Sequence, residues 1–115
     1  MSADRILFVD DEEHVRISAG QTLELASFKV TCVADARAAL ELIQSDDFDA
    51  VISDIRMPGM DGLALMRHVL DRDPEMPFIL ITGHGDVSTA VEAMHGGAFH
   101  FIEKPFATGL LAETV

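Results

Sequence analysis

Five short runs rich in apolar residues alternate along the chain with segments of helical periodicity. Runs of this length, bounded by polar or turn residues, are typical of strands buried in a parallel sheet. The alternation constrains the fold more than any other feature, because it predicts repeated strand–helix units. The predicted strands are 6–9, 28–33, 50–53, 78–81 and 98–102.

The segments between these runs carry apolar residues at the spacing of one helix face. Behind Asp35, a typical N-cap residue, four apolar residues form an i, i+3, i+4, i+7 stripe. Asp61 and Asp86 precede two further helices in the same way, and Gly96-Gly97 is a stop signal for the second of these. The predicted helices are 12–26, one behind Asp35, 62–72, one behind Asp86, and a last one that begins near 108.

Five strand–helix units predict an α/β fold with a parallel sheet, right-handed crossovers and helices on both faces, which makes a three-layer sandwich. For five strands the leading arrangement is the flavodoxin-like order 2-1-3-4-5. We expect residues 1–115 to form one domain, since this length supports a core of its own. The last helix is cut off at Val115, so we expect a longer protein or an artificial boundary there.

The charge balance narrows the classes of partner. The chain has 8 basic and 20 acidic residues, and its net charge is −12. Contact with nucleic acid phosphates needs clustered Lys or Arg, so we expect no direct nucleic acid contact by this domain. A basic protein surface, or a site that concentrates a cation, fits this charge better.

Cysteine content and hydropathy predict the compartment. Cys32 is the only cysteine, which excludes an internal disulfide, and its apolar surroundings in the sequence predict a core position. The N-terminal apolar block 6–9 is too short for a signal peptide, and no stretch approaches the length of a membrane span. We therefore expect a cytoplasmic domain.

Carboxylates follow the first and third predicted strands. Asp10 and Asp11 end the first, and Asp54 ends the third. The order 2-1-3-4-5 places these two strands side by side, so the three carboxylates converge at one edge of the sheet. Such a group repels itself unless a cation is bound, and hard oxygen ligands suit Mg²⁺. The plain alternative for Asp10-Asp11 is an acidic helix N-terminus, but Asp54 on the neighbouring strand favours a metal site.

Two further polar residues reach the same edge. The fourth strand delivers Thr82, and the fifth delivers Lys104. A hydroxyl, an ammonium group and a divalent cation around a carboxylate suit the transfer of a phosphoryl group, which a carboxylate can itself accept. Each residue alone has an ordinary explanation, as a strand end or a surface lysine. Their convergence with Asp54 favours the functional interpretation.

These motifs resemble the receiver domain of two-component response regulators. The likeness covers essentially the whole chain, in order and spacing, and implies a CheY-like fold. It rests on Asp10-Asp11, Asp54, the run 57–62 (MPGMDG), Thr82-Gly83 and Lys104-Pro105-Phe106.

The resemblance implies that Asp54 accepts a phosphoryl group from the phosphohistidine of a sensor histidine kinase. It also implies that Asp11, Asp54 and the backbone carbonyl of Arg56 ligate Mg²⁺ directly, while Asp10 acts largely through water. Lys104 would contact the phosphate or pair with Asp54.

The resemblance further implies a switch pair, Thr82 and Phe101, and a surface of the fourth helix, fifth strand and fifth helix that changes with phosphorylation and supports a homodimer. A finer likeness points to sigma-54-dependent activators such as the dicarboxylate-transport regulator, and to nitrogen-fixation regulators. Both bind DNA through another domain, so we expect an output domain beyond residue 115. Candidates for the dimer surface are Val87, Val91, His95, His100 and Glu103.

Three residues need comment beside the family pattern. Ser27 stands where a glycine often ends the first helix, and a left-handed backbone at this serine would lower the stability of the fold. Arg56 and His84 each lie two residues after a site residue, and we hypothesise that they tune the lifetime of the phospho-Asp; solvated loop positions are the equal alternative.

The chief rival function is a haloacid-dehalogenase-type phosphatase, which also phosphorylates an Asp after a buried strand. Such enzymes carry a D-x-D motif, in which the second Asp is the general acid. Here the second position is Arg56, which cannot serve as that acid. We therefore expect a domain that is not an enzyme beyond its own phosphorylation and dephosphorylation.

Overall fold

The computed structural model describes residues 4–83 and 87–103, with the side chains of Val87 and Ala90 left aside. Within this part of the chain the strands form one parallel sheet of five, in the order β2-β1-β3-β4-β5. The predicted α/β fold and strand order are therefore confirmed. The strands are β1 (Arg5–Val9), β2 (Lys29–Val33), β3 (Ala50–Asp54), β4 (Phe78–Thr82) and β5 (His100–Glu103).

Helices cover both faces of this sheet, as the alternation predicts. Successive strand residues project to opposite faces. One core cluster joins Leu7 and Val51 to apolar residues of α2, α3 and α4, and the other joins Phe8 and Ile52 to Leu23 of α1. The helices are α1 (Glu13–Leu25), α2 (Ala36–Ser45), α3 (Gly62–Arg72) and α4 (Val87–His95).

Local signals place the helix ends where the sequence predicts them. The carboxylate of Asp35 accepts a hydrogen bond from the Ala38 N–H at 2.8 Å, and Asp61 accepts one from the Ala64 N–H at 2.8 Å. Both predicted N-caps are confirmed. Helix α4 ends at His95, as the glycine pair predicts. The predicted cap Asp86 and the last helix lie outside the described residues.

Two predictions at the sheet edges are wrong. Strand β5 begins at His100 rather than at residue 98, because the Ala98 N–H still donates to the carbonyl of Ala93 in the turn that ends α4. Cys32 is exposed rather than in the core, because β2 is an edge strand. Its Sγ nevertheless lies 3.6 Å from the carbonyl oxygen of Arg16. The thiol is thus partly shielded from water, and this desolvation raises its pKa.

None of the helices in the described part of the chain has both the length and the apolar character needed to cross a bilayer.

Gly62 fixes the start of α3 against the end of β3. Its N–H donates to the carbonyl of Ile55 at 2.7 Å, which brings its Cα onto the backbone of Asp54. A Cβ at this position would overlap the carbonyl oxygen of Asp54. The absence of a side chain at Gly62 is therefore a condition for placing Asp54 where it lies.

We expect Gly62→Ala to lower the free energy of unfolding by about 2–3 kcal/mol, because the methyl group meets backbone that has no free space to move into. Urea unfolding followed by circular dichroism measures this, since the chain has neither Trp nor Tyr. Gly96→Ala is the matched control. The nearest atom to its Cβ would lie 3.4 Å away, so the expected change is below about 1 kcal/mol. Equal losses in the two variants would contradict the prediction.

Ser27 has the left-handed backbone that its position after α1 suggests, with φ of 75°. A residue with a Cβ is strained there, whereas glycine adopts this conformation freely.

We expect Ser27→Gly to raise the free energy of unfolding by about 1 kcal/mol, as relief of strain outweighs the added entropy of the unfolded chain. Ser18→Gly is the control. Ser18 lies inside α1, where glycine should instead cost about 1 kcal/mol. Urea unfolding of both variants checks the opposite signs, and a loss of stability in Ser27→Gly would refute the strain argument.

Candidate functional site

Strands β1 and β3 are direct neighbours, and their carboxyl ends bring two acidic residues together. The register pairs Val9 with Ser53, so Asp10 and Asp54 follow side by side. Both are buried, with 0% and 6% of their surface exposed. Buried carboxylates are costly unless they are paired or hold a metal, so this placement points to a functional role.

Backbone hydrogen bonds hold the loop that follows β1. The Asp10 N–H donates to the carbonyl of Val33 at 3.1 Å, which extends the β1–β2 pairing by one residue. The Glu12 N–H donates to Asp10 Oδ1 at 2.9 Å, and Arg16 Nη1 donates to the Asp10 carbonyl oxygen at 2.8 Å. The side chain and the backbone of Asp10 are therefore both fixed.

The end of β3 is held in a similar way. The hydroxyl of Ser53 donates to the carbonyl of Asp54 at 2.9 Å, and the Ile55 N–H donates to the carbonyl of Ile81 at 3.0 Å. The Arg56 N–H lies 3.4 Å from Asp54 Oδ1, which is a long contact. These contacts leave the Asp54 carboxylate at the edge of the sheet.

Four carboxylates converge at this edge. One oxygen from each of Asp10, Asp11, Glu12 and Asp54 lies within 4.8 Å of the others. Like charges at this distance repel, and a hard divalent cation relieves the repulsion, so the set of oxygen donors fits such an ion. The convergence of Asp10, Asp11 and Asp54 agrees with the sequence prediction.

Glu12 is the member of this cluster that the sequence analysis missed. It follows Asp10-Asp11 directly and stands at the N-cap of α1, but its side chain makes no capping hydrogen bond. It contacts His14 instead, with 3.4 Å between Nε2 and Oε2. The run of four acidic residues at 10–13 was the available signal, but spacing alone does not tell which way an N-cap side chain turns.

The loop between β3 and α3 lines an open cleft that Asp11 of the acidic cluster also borders. The cleft has a volume of about 610 Å³, and its lining includes Asp11, Arg56, Pro58 and Thr89. Gly59 in this loop has φ of 78°, a conformation that favours glycine. Arg56 lines this cleft and is exposed, so its side chain is accessible to solvent.

Thr82 ends β4, the strand next to β3, and is fully buried. Among the described residues, its Oγ1 has no hydrogen-bond partner. Phe101 pairs with Leu80 in the register of β4 and β5, so Thr82 and Phe101 project to the same face of the sheet. Phe101 is partly buried against the core cluster on that face. The predicted switch pair is thus close in the fold.

Two predicted site residues, His84 and Lys104, lie outside the described residues.

The comparisons with known proteins agree with this geometry. The chain is 50% identical over 113 residues to the C4-dicarboxylate transport transcriptional regulatory protein DctD of Rhizobium meliloti, covering 98% of this chain and 25% of the relative. It is 44% identical over 101 residues to the transcriptional regulatory protein FixJ of Bradyrhizobium diazoefficiens, covering 88% of this chain and 49% of the relative. The predicted likeness to both subgroups is confirmed.

A solved structure gives the same result for the fold. The crystal structure of a response regulator receiver domain protein from Clostridium thermocellum superposes with a TM-score of 0.92 at 30% identity, covering 96% of this chain and 90% of that one. This chain spans about a quarter to a half of the length of the two curated relatives. The family model described as response regulator receiver domain matches residues 6–115, and the chain therefore belongs to that family.

Proposed function

We propose that this domain is a phosphorylation-dependent signalling switch whose phosphoacceptor is Asp54. The observation that carries the proposal is the nearly buried Asp54 carboxylate inside a cluster of four acidic groups at the edge of the sheet. In the proposed step, a carboxylate oxygen of Asp54 forms a bond to phosphorus as the P–N bond to the phosphohistidine of a sensor histidine kinase breaks. The imidazole is the leaving group, and the product is an acyl phosphate.

The acidic cluster would hold Mg²⁺ for this step. Asp11, Asp54 and the carbonyl of Arg56 would be direct ligands, and Asp10, which is buried, would act largely through water. When bound, the ion supplies positive charge against the phosphoryl oxygens and the carboxylates. The fixed loops on either side hold the ligands in place, and Pro58 stiffens the segment that carries the Arg56 carbonyl.

Three residues would respond to the phosphoryl group. Thr82 would donate its hydroxyl to a phosphoryl oxygen, since the hydroxyl is buried beside β3 and has no other partner among the described residues. Lys104 would contact another oxygen or pair with Asp54. Phe101 would turn further inward behind Thr82, and because it lacks a phenolic hydroxyl, burial alone would drive that movement.

This movement would change the surface of α4, β5 and the following helix. Val91 is 46% exposed there, and His95, His100 and Glu103 are also exposed, so this surface is accessible to a second copy of the domain. Val87 is a further candidate for the same contact. We propose a phosphorylation-dependent homodimer formed through this surface.

The relatives are longer transcriptional regulators, which supports an output domain that follows this one. In this proposal residues 1–115 are a single receiver domain. It works in the cytoplasm, controls its own output domain and does not itself contact nucleic acid.

The domain would catalyse only its own phosphorylation and dephosphorylation. None of the relatives and structures described above supports a haloacid-dehalogenase-like phosphatase, and Arg56 stands where such an enzyme needs its general acid. Arg56 and His84 would instead tune the lifetime of the phospho-Asp by controlling how water reaches it. The exposure of Arg56 at the cleft supports this role.

The central test is incubation with acetyl phosphate and Mg²⁺, followed by intact mass spectrometry. We expect the wild type to gain one phosphoryl group and Asp54→Asn to gain none, because the amide is not a nucleophile for this step. Chelation of Mg²⁺ should abolish the gain in the wild type.

Ser53→Ala is a control in the neighbouring residue, whose hydroxyl bonds only to backbone in the contacts described above. It should still be phosphorylated. A phosphoryl group that survives in Asp54→Asn, or none on the wild type, would overturn the assignment.

A second prediction concerns Glu12. We expect Glu12→Gln to weaken Mg²⁺ binding about threefold to tenfold, because it removes one charge close to the ion while keeping the side chain's shape. Isothermal titration calorimetry measures the affinity. Glu13→Gln removes the same charge one residue away, outside the cluster, and should change the affinity less than twofold (about 0.4 kcal/mol). Equal effects would mean that only the overall charge matters.

A further inference from the structure

Arg16 lies beside the acidic cluster but is not a member of it. It belongs to α1 and is partly buried, and its Nη1 donates to the carbonyl oxygen of Asp10 at 2.8 Å. We propose that Arg16 is a positioning residue for the metal site, which acts through the Asp10 carbonyl to orient Asp11. The inference rests on the proposed function, because it takes the acidic cluster to be the Mg²⁺ site.

Arg16 holds the loop after β1 at two points. Besides the side-chain bond to Asp10, its backbone N–H donates to the carbonyl of Glu12 at 3.1 Å. Its own carbonyl oxygen lies 3.6 Å from the Sγ of Cys32 on β2. The residue therefore connects the loop to α1 and to the neighbouring strand, and the loop carries three of the four clustered carboxylates.

The geometry of the peptide bond explains how this contact reaches Asp11. The carbonyl of Asp10 and the N–H of Asp11 belong to one planar unit, so fixing the oxygen fixes the plane. The other side of Asp10 is already held by the carbonyl of Val33 at 3.1 Å. The bond from Arg16 thus restrains the peptide plane between Asp10 and Asp11, and with it the direction in which Asp11, an exposed residue, leaves the chain.

The charge of Arg16 and its positioning role have opposite effects on the Mg²⁺ affinity. The sign of the change in affinity on removing Arg16 therefore tests the proposal. A guanidinium group repels a cation, so a purely electrostatic role means that Mg²⁺ binds more tightly once Arg16 is removed. A positioning role means that Mg²⁺ binds more weakly, because the ligands lose their fixed arrangement. Partners that orient metal ligands typically change the affinity by tenfold or more when they are removed.

The experiment measures the Mg²⁺ affinity of the folded domain by calorimetry in the wild type, Arg16→Met and Arg16→Lys. Arg16→Met keeps a long apolar stem but donates no hydrogen bond, and we expect its affinity to fall about tenfold. Arg16→Lys keeps the charge and an N–H donor, and should stay within about threefold of the wild type. Should Arg16→Met not fold, Arg16→Gln replaces it, since its amide does not reach as far as a guanidinium.

Arg72→Met is the matched control for the loss of one positive charge. Arg72 ends α3, at the edge of the sheet opposite the site, so its removal should leave the affinity within about twofold. Urea unfolding without Mg²⁺ distinguishes the positioning role from a merely structural role of Arg16. A merely structural role lowers the free energy of unfolding but leaves the Mg²⁺ affinity of the folded protein unchanged.

Unchanged or tighter binding in Arg16→Met, with the wild type binding normally, overturns this inference alone. A wild type that binds no Mg²⁺ overturns the proposed function and this inference together.

Discussion

Electrostatic repulsion among four carboxylates is the constraint on which the rest of the site depends. Parallel pairing of β1 with β3 forces Asp10 and Asp54 to lie side by side, and the loop after β1 adds Asp11 and Glu12. Positive charge close to such a group relieves the repulsion. Hydrogen bonds to Val33, Arg16 and Ile81 at the strand ends hold the backbone that carries the carboxylates in place.

The buried strands supply the rigidity that this arrangement needs. Every residue of β3 and β4 is buried, so neither strand can shift without disturbing both core clusters. Close-packed interiors transmit displacement rather than absorb it. In the proposed switch, a change at Asp54 would reach Phe101 on β5 through β4, the strand that lies between them.

The sequence predicts those features that follow from local periodicity and from a topological rule. Strand–helix alternation gives the sheet order, and Asp35 and Asp61 mark two helix starts, because an N-cap is a contact between near neighbours in the chain. Cys32 is misplaced because exposure depends on which strand lies at the edge and which face a residue takes, and a short apolar run does not specify the second. The start of β5 is misplaced because the turn after α4 continues to Ala98.

In the site too, the sequence predicts what strand position determines and misses what side-chain direction determines. Asp10, Asp11, Asp54 and Thr82 could be predicted, because each directly ends a strand or follows its end. Glu12 could not, since its place in the cluster depends on a side-chain direction that an N-cap position leaves open. The bond from Arg16 to Asp10 spans six residues and depends on a rotamer that sequence spacing does not specify.

The close packing of Gly62 on Asp54 has a mechanical consequence. With no side chain between them, and with the Gly62 N–H bonded to Ile55, the end of β3 and the first turn of α3 pack directly against each other. This close contact leaves little room for a hinge, so we expect α3 to follow a displacement of the Asp54 backbone. In the proposed switch, α3 would therefore be the frame of reference against which α4 and β5 move.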